Sequence, residues 1–146
     1  MVIKYKSYGE MPKKLYGING SFWNKPTGGL WGCRGEEWKE WCEVEQFHLE
    51  KLKHHFYFKM KKGSRVYRIK TVKDFQYLLD NFRALDTEEL QIDYLQVQKQ
   101  YDAVEVVGDI IYKLRFGTKV SHMGLYVWDV PSICVLNVDK VKLYKE

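Results

Sequence analysis

Residues 101–144 read YDAVEVVGDIIYKLRFGTKVSHMGLYVWDVPSICVLNVDKVKLY, and their pattern sets the fold class. β-branched and aromatic residues recur in five runs, at 103–107, 110–116, 125–130, 132–137 and 140–144. Such runs, bounded by turn residues, predict strands. Gly108-Asp109 is a tight-turn signal between the first two runs. Gly117 and Gly124 bound a loop that holds Ser121 and His122. Pro131 marks a break or an edge position, because proline has no N–H to give a sheet.

Working back from that segment, the pattern changes. Residues 71–82 carry Val72, Phe75, Leu78, Leu79 and Phe82 at helical spacing, behind a Thr71 cap with Asp74 three residues on. Residues 36–47 (EEWKEWCEVEQF) begin with acids that suit a helix dipole and place Trp38, Trp41, Cys42 and Glu45 on one face. A third short helix is expected at 93–100. Residues 55–60 and 64–70 alternate in the strand manner around Lys61-Lys62-Gly63, which predicts a hairpin. Residues 13–18 read as a first strand, and 24–29 as a turn feeding Leu30-Trp31-Gly32-Cys33. Helices early and strands late predict an α+β domain with largely antiparallel sheets, spanning residues 1–146 as one unit.

Composition narrows the class. A chain of 146 residues with 45% hydrophobic content can bury a core, and its 16% aromatic content supplies large side chains to fill it. The net charge of +5 is modest, with basic clusters at Lys51–His55, Lys59–Arg65 and Lys140–Lys145 that suit phosphates or an acidic partner. Three cysteines, Cys33, Cys42 and Cys134, are odd in number, lack CxxC spacing and sit among apolar residues. That usage predicts reduced thiols in a cytoplasmic protein. No window approaches the ~18 apolar residues of a membrane helix. Adjacent His54 and His55 face opposite sides of a strand, and His48 and His122 stand apart, so no metal site is expected.

Three stretches carry residues suited to binding. Gly28-Gly29-Leu30-Trp31-Gly32 sets a large aromatic after a flexible backbone. Tyr101-Asp102-Ala103-Val104-Glu105-Val106 enters a strand with two acids. Trp128-Asp129-Val130-Pro131-Ser132-Ile133 puts an acid and a hydroxyl beside a tryptophan.

In this order the segments resemble the ADP-ribosyltransferase superfamily, and within it small phage-encoded members of the anti-CRISPR kind. Lys14-Leu15-Tyr16-Gly17 resembles the family's first strand. Gly28-Gly29-Leu30-Trp31-Gly32 and the 101–106 stretch follow, and 132–137 with 140–144 look like its last two strands. The resemblance implies two small, mostly antiparallel sheets with flanking helices, and an NAD pocket between them. It implies Tyr16, Gly28, Gly29 and Trp31 as NAD-binding residues. Tyr16 and Gly17 stand where family members usually carry His or Arg, and Ser132 falls near the usual catalytic Glu. Asp129 or Asp109 would then supply the carboxylate for an oxocarbenium-like transition state.

The expected function is therefore NAD-dependent mono-ADP-ribosyl transfer to a host macromolecule, as a cytoplasmic phage effector or anti-defence protein. Two alternatives stand beside it: an inactive inhibitor bound to a host defence protein, and a basic nucleic-acid-binding module built on Tyr57, Phe58 and Tyr67 with Lys59, Lys61, Lys62 and Arg65.

Overall fold

The computed structural model describes residues 2–84, 90–115 and 124–145. The chain runs β1 (Tyr5–Tyr8), β2 (Ile18–Phe22), β3 (Lys25–Gly28), β4 (Leu30–Gly32), α1 (Glu37–Glu45), β5 (His55–Met60), β6 (Val66–Ile69), α2 (Val72–Asn81), α3 (Tyr94–Val97), β7 (Ala103–Val106), α4 (Ile110–Lys113), β8 (Ser132–Val135) and β9 (Val141–Tyr144). Helices and small sheets are mixed, as an α+β fold requires.

Among the described residues there are three sheets rather than two: β1-β5-β9, the ribbon β2-β3, and β4-β8-β7-β6. The pairings are antiparallel except for β6 beside β7, which is parallel. The two larger sheets are stitched together. Lys6 and Cys33 exchange backbone bonds of 2.7 and 2.9 Å, so β1 adjoins the end of β4.

Each strand sorts its side chains by period 2. In β8, Ile133 and Val135 face a core with Tyr5, Leu30, Phe56, Phe58 and Ala103, enclosed between the two sheets. Cys134, with Leu136 just beyond β8, turns to a second core under α2 and α3, with Phe75, Leu78, Leu79, Tyr94 and Val104. Gly32 lets the sheets approach, since a Cβ there would lie 2.5 Å from the Phe58 ring.

The expected hairpin of 55–60 with 64–70 does not form. β5 pairs with β1 and β9, whereas β6 lies in the other sheet beside β7. The link at Gly63, with φ +87°, carries the chain from one sheet to the other. A turn signal between two alternating runs says that the chain reverses, not that the runs are partners. Residues 110–113 are helical, not extended. Ile110, Ile111 and Leu114 are buried on one side of a single turn, a spacing short enough to satisfy either period. Phe116 and the loop with Ser121 and His122 lie outside the described residues.

Residues 126–128 form a 3-10 turn that points Trp128 inward. Of residues 13–18 only Ile18 joins a strand. The turn expected at 24–29 resolves into a tight reversal at Trp23-Asn24, with φ 48° and 68°, the strand β3, and a second turn at Gly28-Gly29. By contrast, α2 begins where its cap predicts. Thr71 Oγ1 accepts the Asp74 amide at 3.2 Å, and the Asp74 carboxylate accepts the Thr71 amide at 3.0 Å.

Candidate functional site

Where β1 adjoins β4, α1 covers the outer side of the junction and leaves a cavity of about 330 Å³. Alternation along β4 explains its floor: Leu30 and Gly32 face the inter-sheet core, so Trp31 and Cys33 face the other way. The Trp31 ring meets Trp128 edge-on, with centroids 5.0 Å apart. Trp38, on the first turn of α1, supplies a third indole wall. Its outer face stacks on Trp41 at 5.1 Å and 13°.

Both floor indoles have their N–H groups bonded. Trp31 Nε1 donates to the Gly28 carbonyl at 2.9 Å, and Trp128 Nε1 donates to the Asn24 carbonyl at 2.8 Å. This fixes the rings: Trp31, half-buried, keeps π surface toward the cavity, and Trp128, 2% exposed, backs it.

Three lysines line the same space. Lys25 holds its ammonium 5.0 Å above the Trp31 ring. Lys6 donates to Glu36 at 2.8 Å, which raises its pKa. Lys51 stands on the 3-10 turn after α1, beside His48. Tyr8 also bonds Glu36, and burial with that bond pushes its hydroxyl up to about 12. Ser132 completes the wall, its hydroxyl donating to the Val130 carbonyl at 3.0 Å. No Asp or Glu occurs among the described lining residues.

The structure divides the residues expected from sequence. Trp31 and Ser132 line this cavity. Gly28 and Gly29 do not line it; they form its supporting turn, with φ +80° and +72°. A Cβ on Gly29 would sit 2.6 Å from the Val135 carbonyl, so glycine is there for close strand packing. Tyr16 is 69% exposed beneath Lys14 and faces solvent. Asp109 precedes α4 at the surface and pairs with Lys113 at 3.6 Å.

Asp129 lines a neighbouring cavity of about 280 Å³ with Trp41, Glu45, Tyr112, Arg115 and Tyr126. Burial raises its pKa, and Lys25 and Arg115 partly offset that. The Trp38–Trp41 stack separates the two spaces, one ring lining each.

Sequence reasoning placed Lys51 in a basic cluster and Trp38 on a helix face but did not bring them together with Lys6 and Lys25, because no local motif joins the four. It marked Glu105 as one of two acids at a strand entry but not its role; the residue is 2% exposed in the central strand β7. Glu105 accepts two bonds from Arg34 at 2.7 and 2.9 Å, one from Arg68 at 2.9 Å and one from Tyr5 at 3.0 Å. These partners come from β1, the loop after β4, and β6, so the group ties both sheets together. Asp102, the other acid of that stretch, accepts the Arg65 amide and the Asn137 side chain, a structural closure.

No protein-family model, curated protein or solved structure matches the chain.

Proposed function

We propose that the cavity binds a phosphorylated ligand with a planar ring, a member of the nucleotide class. The observation that carries this reading is the convergence of three indoles and three lysines on one concave space with no carboxylate in its described wall. The rings supply stacking surface, and Lys25 and Lys51 supply charge-assisted bonds to phosphate, while Lys6 is held by Glu36. At about 330 Å³ the space sits near the lower end of small-molecule pockets. One nucleotide unit suits it, and a dinucleotide would extend beyond its mouth. NAD is the member of the class to which the ADP-ribosyltransferase resemblance points.

A titration tests this, followed by tryptophan fluorescence and calorimetry, with AMP, NAD and phosphate-free adenosine. Saturable binding of AMP and NAD, with adenosine much weaker, is the expected result. Lys25→Gln with Lys51→Gln should weaken AMP tenfold or more, since each lost charge-assisted bond is worth about 1.5–3 kcal/mol. No saturable binding at millimolar ligand would refute the reading.

ADP-ribosyl transfer is the second reading. It is favoured by one observation, that Trp31 and Ser132 line a common cavity. Its weak point is the carboxylate: an oxocarbenium ion needs negative charge beside it, and Asp129 opens on the adjacent space. Nicotinamide release from NAD that disappears in Asp129→Asn would favour transfer. NAD binding without release would leave the site a binding pocket.

A further inference from the structure

We propose that the outward face of the β1-β5-β9 sheet binds single-stranded nucleic acid, stacking bases on its aromatic rings and pairing phosphates with its lysines. The face follows from the register. Tyr5 opposes Phe58, and both are buried, so the alternate residues point out. They are Lys6 and Tyr8 on β1, His55, Tyr57 and Lys59 on β5, and Lys142 and Tyr144 on β9. The three strands contain no Asp or Glu.

The rings form a connected layer. Tyr57 stacks on Tyr144 at 5.9 Å and 25°, and His55 meets Tyr57 at 5.5 Å and Tyr8 at 6.2 Å. Cations are interleaved with them. Lys4 lies 4.5 Å from the Tyr57 centroid and Lys6 lies 5.0 Å from that of Tyr8. Rings alternating with ammonium groups on a sheet match what a single strand presents: unpaired bases and a phosphate at every step.

Lys59 directly opposes Lys142. Like charges in that position destabilise a sheet. Lysine on an edge strand deters aggregation, which accounts for Lys142 on β9. It does not account for Lys59 on the central strand β5, nor for the rings. A local conflict of this kind is expected where a surface serves binding. Glu36 bonds Lys6 and Tyr8 at the far end, where the strip meets the cavity. An acidic protein would satisfy the lysines but leave the aromatic layer without a role. Stacking and phosphate pairing do not read the sugar, so DNA and RNA strands should bind alike.

This surface differs from the expected basic hairpin. Phe58 is buried and Tyr67 belongs to the other sheet. The proposal does not depend on the cavity, although Lys6 and Tyr8 belong to both.

Fluorescence anisotropy with labelled oligo(dT) and oligo(rU) tests it. Both strands should bind within a few-fold of each other and more tightly than a duplex of equal length. Four phosphate contacts would give a salt slope of roughly −3, at about −0.7 per phosphate on a single strand. Lys142→Glu is the informative variant, because it sets an opposite charge across from Lys59. Its thermal stability should be kept or raised while oligonucleotide affinity falls about tenfold or more, and Tyr144→Ala should cost about 5- to 160-fold, the scale of one stacking contact. Lys25→Gln with Lys51→Gln should leave oligonucleotide binding intact whatever it does to AMP, which separates this surface from the cavity. Three outcomes would overturn the proposal: no binding at low salt, affinity unchanged in Lys142→Glu, or polyglutamate competing as well as oligonucleotide.

Discussion

Asn24 is a junction on which the wall of the cavity rests, and its replacement by alanine is a stringent check on the structure. The residue is fully buried, with φ 68°. Its side chain accepts the Ile92 amide at 2.8 Å and donates to the Gly124 carbonyl at 3.0 Å. Its backbone carbonyl accepts the Tyr94 hydroxyl and the Trp128 indole.

Asn24→Ala keeps the carbonyl but strips the partners from two buried backbone groups. Each unsatisfied group costs about 1–3 kcal/mol. A left-handed conformation adds about 1–2 kcal/mol for a residue with a Cβ and no local hydrogen bond. The sum is about 3–8 kcal/mol, and partial rehydration places the expected loss at ~4 kcal/mol. Against a total stability of ~5–15 kcal/mol, such a variant is marginal.

Asn24→Gly separates the two contributions, since glycine accepts positive φ but makes neither side-chain bond. It should be about 1 kcal/mol less harmful than alanine once its greater unfolded-state entropy is counted. Urea denaturation followed by tryptophan fluorescence reads both losses, provided the m-value is unchanged. A loss below ~1 kcal/mol for Asn24→Ala would refute the hydrogen-bond assignment. Equal losses for alanine and glycine would refute the backbone contribution.

Other regions make independent predictions. Glu105→Gln keeps the shape but removes the charge that holds Arg34, Arg68 and Tyr5, and should cost ~2–4 kcal/mol by the same assay. The value falls below that of a fully buried triad because the Arg34 and Arg68 side chains are 47% and 32% exposed and can rehydrate. Burial pushes the Asp102 carboxyl up, but the Arg65 amide and Asn137 outweigh it and hold its pKa below the ordinary value. Its contribution to stability is therefore complete above the unfolded value of about 3.9 and is lost as pH falls through the depressed folded value. Asp102→Asn should flatten the acid limb of the stability curve below about pH 5 and leave its slope near neutrality unchanged. All three cysteines are buried, and burial, with Glu37 nearby, pushes Cys33 up to about 12. A thiol reagent at mild alkaline pH should react slowly with the native protein and rapidly after denaturation; one fast native thiol would contradict the burial.

Parts of the cavity were legible in residue order. Trp31 follows the Gly28-Gly29 turn, and Trp128 and Ser132 flank Pro131, so the sequence marked these stretches for binding. The lysines were not legible as a group. Lys6 is brought to Trp31 only because β1 bridges Cys33, and Lys51 only because the chain folds back after α1. Asp129 shows the converse. It is adjacent to Trp128 in sequence, yet its positive φ aims it away from the indole cavity. One backbone rotation decides which space a side chain serves, and no periodicity encodes it.

Local physics alone determined α2, because its apolar spacing and its Thr71–Asp74 capping box are complete within twelve residues, 71–82. It also determined the extended state of 55–60, 103–106, 132–135 and 141–144, where β-branched and aromatic side chains dominate. Tertiary structure alone decided which strands are neighbours: β5 with β1 and β9, and β6 parallel to β7. It decided too that 110–113 coil into a helical turn and that 126–128 tuck Trp128 inward. The reason is range. A turn, a cap or an alternation is set by atoms a few residues apart, whereas strand pairing and cavity walls depend on which distant apolar faces exclude water together.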